Sequence, residues 1–148
     1  MAGTIVIEFP SDYKFLNIVD LVTAEVLQTL CFDHKAANEV GISVIEACTN
    51  AIEHGNKQAA EESVRIEYRC SEDRLTIEVC DQGKGFDFKD YLEHIPDPAN
   101  IDRLRGRGIY IMKNMMDGLE FEMVPGQGMK VRLVKRLRRE GGGDAQQG

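Results

Sequence analysis

The sequence has no pair of cysteines at Cys-x-x-Cys spacing, and no apolar run near the roughly 20 residues that a membrane span requires. It also has no basic excess. Each absence removes a class of function. Cys31, Cys48, Cys70 and Cys80 lie scattered in apolar or strand-like contexts, so they read as buried, reduced thiols and not as a disulfide framework or a zinc site. His34, His54 and His94 are equally dispersed and assemble into no zinc or nucleophile triad. A net charge of −7 supplies no basic face for a phosphate backbone, which sets nucleic acid aside as a partner. Met1 to Pro10 lacks the charged start and apolar core of a signal peptide. The expectation is a cytoplasmic protein with neither a membrane nor a nucleic-acid partner.

What is present suits a compact enzyme or regulator. A chain of 148 residues, 43% of them hydrophobic, is long enough to bury a real core as one domain. That domain is expected over residues 1–139, with 140–148 a disordered tail because it has nothing to bury.

The stretch Glu39 to Lys57 organises the rest. At about 100° per residue, Val44, Ile45, Cys48, Ala51 and Ile52 fall on one face and Ser43, Glu46, Asn50, Glu53 and Lys57 on the other. A solvated helix face would show the same pattern. Glu46 and Asn50, however, stand one turn apart with few long charges beside them as salt-bridge partners. A carboxylate takes a proton or orders a water, and an amide oxygen is a hard ligand suited to Mg²⁺. The pair suits a nucleoside triphosphate, provided that other segments supply phosphate and base sites.

The periodicity predicts a strand over Thr4 to Phe9, a helix over Tyr13 to Phe32 and the central helix over Lys35 to Lys57. A hairpin of Val64 to Cys70 with Leu75 to Cys80 follows, and a second joins Leu119 to Val124 with Met129 to Leu137. Between them lies a long polar segment broken by Pro96 and Pro98, and then a helix from Ile109 to Met116. Lys130, Arg132 and Lys135 are expected on a solvated basic side of the last strand. The elements predict an α+β fold, a mixed and mostly antiparallel sheet with helices packed on one face.

Two glycine motifs carry the chemistry. Asp81 ends a strand and is followed by Gly83-Lys84-Gly85, so a carboxylate stands where bare backbone lets a flat ring approach. It can accept a hydrogen bond from an exocyclic amine; adenine offers that donor, while guanine presents a carbonyl there and would be repelled. Gly106-x-Gly108 opens an apolar helix, where backbone N–H groups and the helix N-terminus favour phosphate. Arg105 or Arg107 either adds charge at the γ-phosphate or is solvated. His54 either lines the site or is a helix-end histidine favoured by the dipole.

Glu46-Ala47-Cys48-Thr49-Asn50-Ala51-Ile52-Glu53-His54-Gly55, then Asp81-x-Gly83-x-Gly85-Phe86-Asp87, then Gly106-Arg107-Gly108-Ile109, look like the N, G1 and G2 boxes of the GHKL ATP-binding superfamily. The chain most resembles the small serine protein kinases that act as anti-sigma factors in bacterial partner switching, over about Ile5 to Leu137. The resemblance implies a two-layer α/β sandwich of the Bergerat type, with ATP and Mg²⁺ as cofactors and a lid at about 86–105. It implies Glu46 as general base, Asn50 as Mg²⁺ ligand and Asp81 as adenine reader. It also implies nucleotide contacts at His54, Gly83, Gly85, Phe86, Arg105, Gly106, Arg107, Gly108 and Ile109. The implied partners are a small STAS-domain anti-anti-sigma protein, phosphorylated on serine, a sigma factor that the protein sequesters, and a second copy of the chain. One departure stands out. Many relatives carry a threonine that supports adenine through a water, and Met129 occupies that place.

Two other functions compete with the kinase. An ATP-gated regulator would hold its partner without transferring phosphate, but would have no need of a base at Glu46. The detached ATP-binding half of a histidine kinase would need phosphoaccepting helices, which the few residues before Ile5 cannot supply and a separate chain would have to.

Overall fold

In the computed structural model, the structure describes residues 2–55, 62–82, 104–124 and 128–137, with the side chains of 54, 55, 104–107 and 124 outside that description. The expected lid, Gly83, Gly85, Phe86 and the tail lie outside the described residues.

The chain opens with strand β1 (Gly3–Pro10) and a 3-10 turn, Tyr13–Phe15, that Asp12 caps by accepting from the Lys14 N–H. Helix α1 (Leu16–Thr29) follows. It ends with Cys31 in the left-handed region, φ 62°. The Cys31 N–H bonds Gln28 O and the Phe32 N–H bonds Leu27 O, the paired bonds of a Schellman termination in which glycine is the usual residue. Helix α2 (His34–Asn50) starts where the Asp33 side chain accepts from the Ala36 N–H at 2.7 Å. It runs into a single π turn, Ala51–Gly55, a local widening that recurs at functional sites.

Strands β2 (Ser63–Cys70) and β3 (Arg74–Cys80) form the first hairpin. Helix α3 (Leu104–Met115) leads to β4 (Gly118–Val124) and β5 (Gly128–Arg136). The five strands lie in the order β1-β2-β3-β5-β4, and every neighbouring pair is antiparallel. The fold is α+β, as expected, with the mostly antiparallel sheet antiparallel throughout its described strands.

Period-two alternation divides the sheet into two faces. Tyr68, Ile77, Leu133 and Leu119 form one register row on the face that joins the core with Val19, Val26, Val40, Val44, Ile109 and Met112. Tyr68 and Thr23 share a buried hydrogen bond of 2.6 Å, tying α1 to the sheet. Burial pushes the Tyr68 hydroxyl up to about 12, so it stays protonated. The opposite face is polar. There Glu78 accepts from Arg132 Nε at 2.8 Å and Arg69 at 3.2 Å, with Lys130 at 3.9 Å. Burial pushes its carboxyl up, but these cations outweigh burial and hold it below the ordinary glutamate range.

Four expectations change. Cys31 is exposed, because a helix end holds it outside the core, whereas Cys48 is buried and Cys70 and Cys80 are half-buried, all as free thiols. Lys135 is buried, not solvated: it shares the core face with Val131 and Leu133, four and two residues back along β5. The polar face of α2 is not a free surface, since Ser43 and Asn50 are buried and α3 packs against that helix. Finally, α3 begins at Leu104, so Gly106 falls in its first turn and Gly108 a turn inside it.

Candidate functional site

Two junctions bring the sequence motifs together. In the first, α3 meets α2. Glu39, Ser43, Glu46 and Asn50 follow one another at four-, three- and four-residue steps, a single stripe along α2. Gly108 is buried at one end of it, where a Cβ would lie 2.7 Å from Glu46 Oε2 and 3.7 Å from Asn50 Nδ2. The backbone of α3 therefore reaches the carboxylate only because residue 108 carries a hydrogen. The two members of the first motif that stood out by chemistry and the second glycine of the last motif share one point in space, 58 residues apart along the chain from Asn50 to Gly108.

Asn50 is 8% exposed, and its Nδ2 has no hydrogen-bond partner among the described residues. Buried amide groups are normally paired. An unpaired one beside a carboxylate and a bare glycine suits a ligand that brings its own oxygens, such as phosphate with a hard cation. The residues present fit Mg·ATP at this point. The π turn that follows carries Glu53, whose Oε1 accepts from the Tyr13 hydroxyl at 2.6 Å, so the β1–α1 connection braces the end of the motif. His54 lies in that turn, with its side chain outside the description.

Glu46 also borders a second space. A groove of about 1,090 Å³ runs between α1 and α2, lined by Asp20, Leu27, Gln28, His34, Ile42 and Glu46 among others. The carboxylate thus stands between the helix that carries Gly108 and an open surface channel.

The second junction is built by the sheet. Asp81 directly follows β3 and is 7% exposed. Its N–H donates to Met129 O at 3.0 Å, and its Oδ1 accepts from the Met129 N–H at 3.2 Å. Gly128, φ 104°, makes this possible: a Cβ there would lie 2.0 Å from the Asp81 carbonyl oxygen. Only glycine serves at such a contact. The carboxylate is therefore aimed by the closing residues of a different hairpin. Met129 keeps its backbone on Asp81 while its side chain is buried.

Sequence reasoning missed the roles of Gly128 and of the Met129 N–H. The signal available was the Pro125-Gly126-Gln127-Gly128 turn, which marks a hairpin but not what the hairpin touches. Ile109 is fully buried in the core, seating α3. Arg105, Gly106 and Arg107 lie on the first turn of α3, and Gly83, Gly85 and Phe86 lie outside the described residues. No helix among the described residues is long and apolar enough to cross a membrane.

A sheet backed by helices, with an acidic strand end at one junction and a glycine helix on a Glu/Asn pair at the other, is an ATPase architecture. The chain belongs to the histidine kinase-like ATPase domain family, matched over residues 9–135. Within it, the chain is 32% identical to the serine-protein kinase RsbW of Bacillus pumilus over 140 residues, 90% of this chain and 85% of that protein. It is 30% identical to RsbW of Bacillus subtilis over 145 residues, covering 94% and 89% of the two. A crystal structure of RsbU and RsbW domains from Mycobacterium tuberculosis superposes with a TM-score of 0.68 at 16% identity, covering 93% of this chain and 33% of that one. The mycobacterial sensor histidine kinase MprB gives 0.53 at 14% identity, covering 94% and 99%. These two structures speak for the fold. Membership in the family makes ATP the ligand of this architecture.

Proposed function

We propose that the chain is a Mg²⁺- and ATP-dependent serine protein kinase that acts as an anti-sigma factor, phosphorylating a STAS-domain anti-anti-sigma partner and otherwise sequestering a sigma factor. Serine kinase activity draws its support from relatives that are themselves named serine-protein kinase RsbW and align over most of their length. The observation that carries the reading is the meeting of Gly108 with Glu46 and Asn50.

Each residue then has a role. The partner's serine enters by the α1–α2 groove and offers its hydroxyl to Glu46, which takes the proton as the oxygen attacks the γ-phosphorus and the bond to ADP breaks. Asn50 holds the metal, which when bound neutralises charge on the phosphate oxygens. Gly106, with Arg105 and Arg107 nearby, presents the first turn of α3 to phosphate. Asp81 accepts from the adenine amine, supported by the backbone of Met129. His54, Gly83, Gly85, Phe86 and Ile109 complete the nucleotide pocket, with a lid over about 86–105. The protein works in the cytoplasm as a homodimer, in a single domain of residues 1–139.

The test is capture of partners on the immobilised chain in Mg²⁺ and ATP, followed by intact mass and acid-stable phosphate analysis. The expected result is a small STAS-domain protein that gains one phosphoryl group on serine, and that fails to gain it with Glu46→Gln. Capture of a regulator with confirmed ATP binding but no transfer would replace the kinase by an ATP-gated binder. Acid-labile phosphohistidine would replace it by a histidine kinase module.

A further inference from the structure

Lys135 is a buried cation that the proposed chemistry does not use. It is 6% exposed, and its Nζ donates to Met115 O at 2.5 Å and to Glu39 Oε1 at 3.1 Å. Both partners are placed with consequence. Met115 is the last residue of α3, so its carbonyl is one of those that a helix end leaves without an internal partner. A cation there also suits the negative end of the helix. Glu39 is the first residue of the polar stripe on α2 that continues through Ser43 to Glu46 and Asn50.

The spacing on the two helices matches. Glu39 and Glu46 are seven residues apart on α2, and Gly108 and Met115 are seven apart on α3, about 10 Å in each case at the helical rise. The helices therefore run antiparallel, touching at Gly108 against Glu46 and joined two turns away by Lys135. Between those points the stripe offers Ser43, which is fully buried with no partner for its hydroxyl among the described residues. A small polar residue gives no interlocking along this stripe, and the apolar packing that seats α3 comes from Ile109 and Met112 on its core side.

We propose that Lys135 is a positioning residue for the ATP site: its ammonium sets where α3 lies along α2, and so holds Gly108 against Glu46 and Asn50. The assignment of that site to Mg·ATP is the reading given above; the clamp itself is a property of the nucleotide-free chain. Replacing the ammonium leaves the sheet intact and lets α3 slide or lift at its carboxyl end. The displacement reaches the glycine at the other.

The test uses the full chain with Lys135→Met, Lys135→Arg and Glu39→Gln, and reads both amide exchange without nucleotide and Mg·ATP affinity. Lys135→Met is expected to speed exchange of the α3 amides about tenfold relative to those of β2 and β3, and to weaken Mg·ATP binding about tenfold, as displaced binding groups do. Lys135→Arg, which keeps the charge, should recover most of both. Glu39→Gln, which keeps the Lys135 bond to Met115, should show a smaller effect of about threefold, and it carries the test if Lys135→Met does not fold. Equal acceleration of α3 and sheet amides would reduce Lys135 to a general stabiliser and overturn the proposal. Unchanged exchange and affinity in Lys135→Met would overturn it too. If the wild type binds no Mg·ATP, the ATP reading fails, and selective loosening of α3 would still support the clamp.

Discussion

The two junctions of the site are made in different ways. At Asp81 the contact is backbone against backbone and carboxylate: Gly128 abuts the Asp81 carbonyl, the Asp81 N–H donates to Met129 O, and the Met129 N–H donates to the Asp81 carboxylate. At Glu46 the contact is a helix lying on side chains, with a buried amide nitrogen left unpaired among the described residues. The first is complete without a ligand. The second has an unmet bonding requirement that a ligand's oxygens would satisfy. On the proposed function, the rigid junction is the one that recognises a flat base and the adjustable one is where phosphate arrives and leaves.

The largest effect should come at the Glu46 junction and should be chemical. Glu46→Gln is expected to lower phosphoryl transfer by about 10²–10⁴, the usual scale for a general base, with ATP affinity nearly kept; single-turnover kinetics beside equilibrium binding would show it, and unchanged turnover would remove Glu46 from the role. Alanine at the two glycines sharpens the contrast. Gly128→Ala meets backbone atoms that cannot yield and has an unfavourable φ, so it should cost about 2–4 kcal/mol of stability as well as nucleotide binding. Gly108→Ala crowds the end of the Glu46 side chain and merely touches Asn50 Nδ2, so unfolding should move by less than about 1 kcal/mol while turnover falls by about 10–100-fold from misplacement of the carboxylate. Equal losses of stability in the two variants would erase the distinction between the junctions.

Asp81→Asn should weaken ATP binding by about 1.5–3 kcal/mol, the worth of a charged hydrogen bond, and calorimetric titration reads it directly. The smallest effect lies on the outer face of the sheet, away from both junctions. The Glu78 carboxyl is depressed in the folded chain, burial being outweighed by Arg132, Arg69 and Lys130. Its contribution is therefore present above the unfolded glutamate value and is lost as pH falls through the lower folded one. Wild type should lead Glu78→Gln by about 1 kcal/mol near neutrality, and the lead should vanish in acid. Denaturant midpoints across pH, with ATP affinity as the unchanged control, check it.

Much of this molecule is legible in its sequence because local periodicity encodes it. Alternation predicts β2 and β3 to within a residue, and the apolar stripe predicts α2. The three motifs read as one site because each carries chemistry that a bare turn or solvated face does not need, although Gly83 and Gly85 lie outside the described residues. What escapes is set by contacts between distant segments. Lys135 stands among other strand-end charges and reads as solvated, yet the pleat turns it inward to Glu39 and the end of α3. The polar side of α2 reads as a surface until α3 covers it. Gly128 looks like a hairpin glycine, and nothing local reveals that its missing side chain leaves room for Asp81, 47 residues earlier. Cys31 sits beside apolar residues but occupies a left-handed helix end, which turns it to solvent.

The central claim is that these two junctions form one site for ATP. Titrating the wild-type chain with Mg·ATP and with Mg·GTP, under identical conditions, tests it most directly. Asp81 held by Met129 should favour ATP by about tenfold or more, since guanine presents a carbonyl where adenine presents its exocyclic amine to the carboxylate. Equal affinity for the two nucleotides, or binding of neither, would contradict the account.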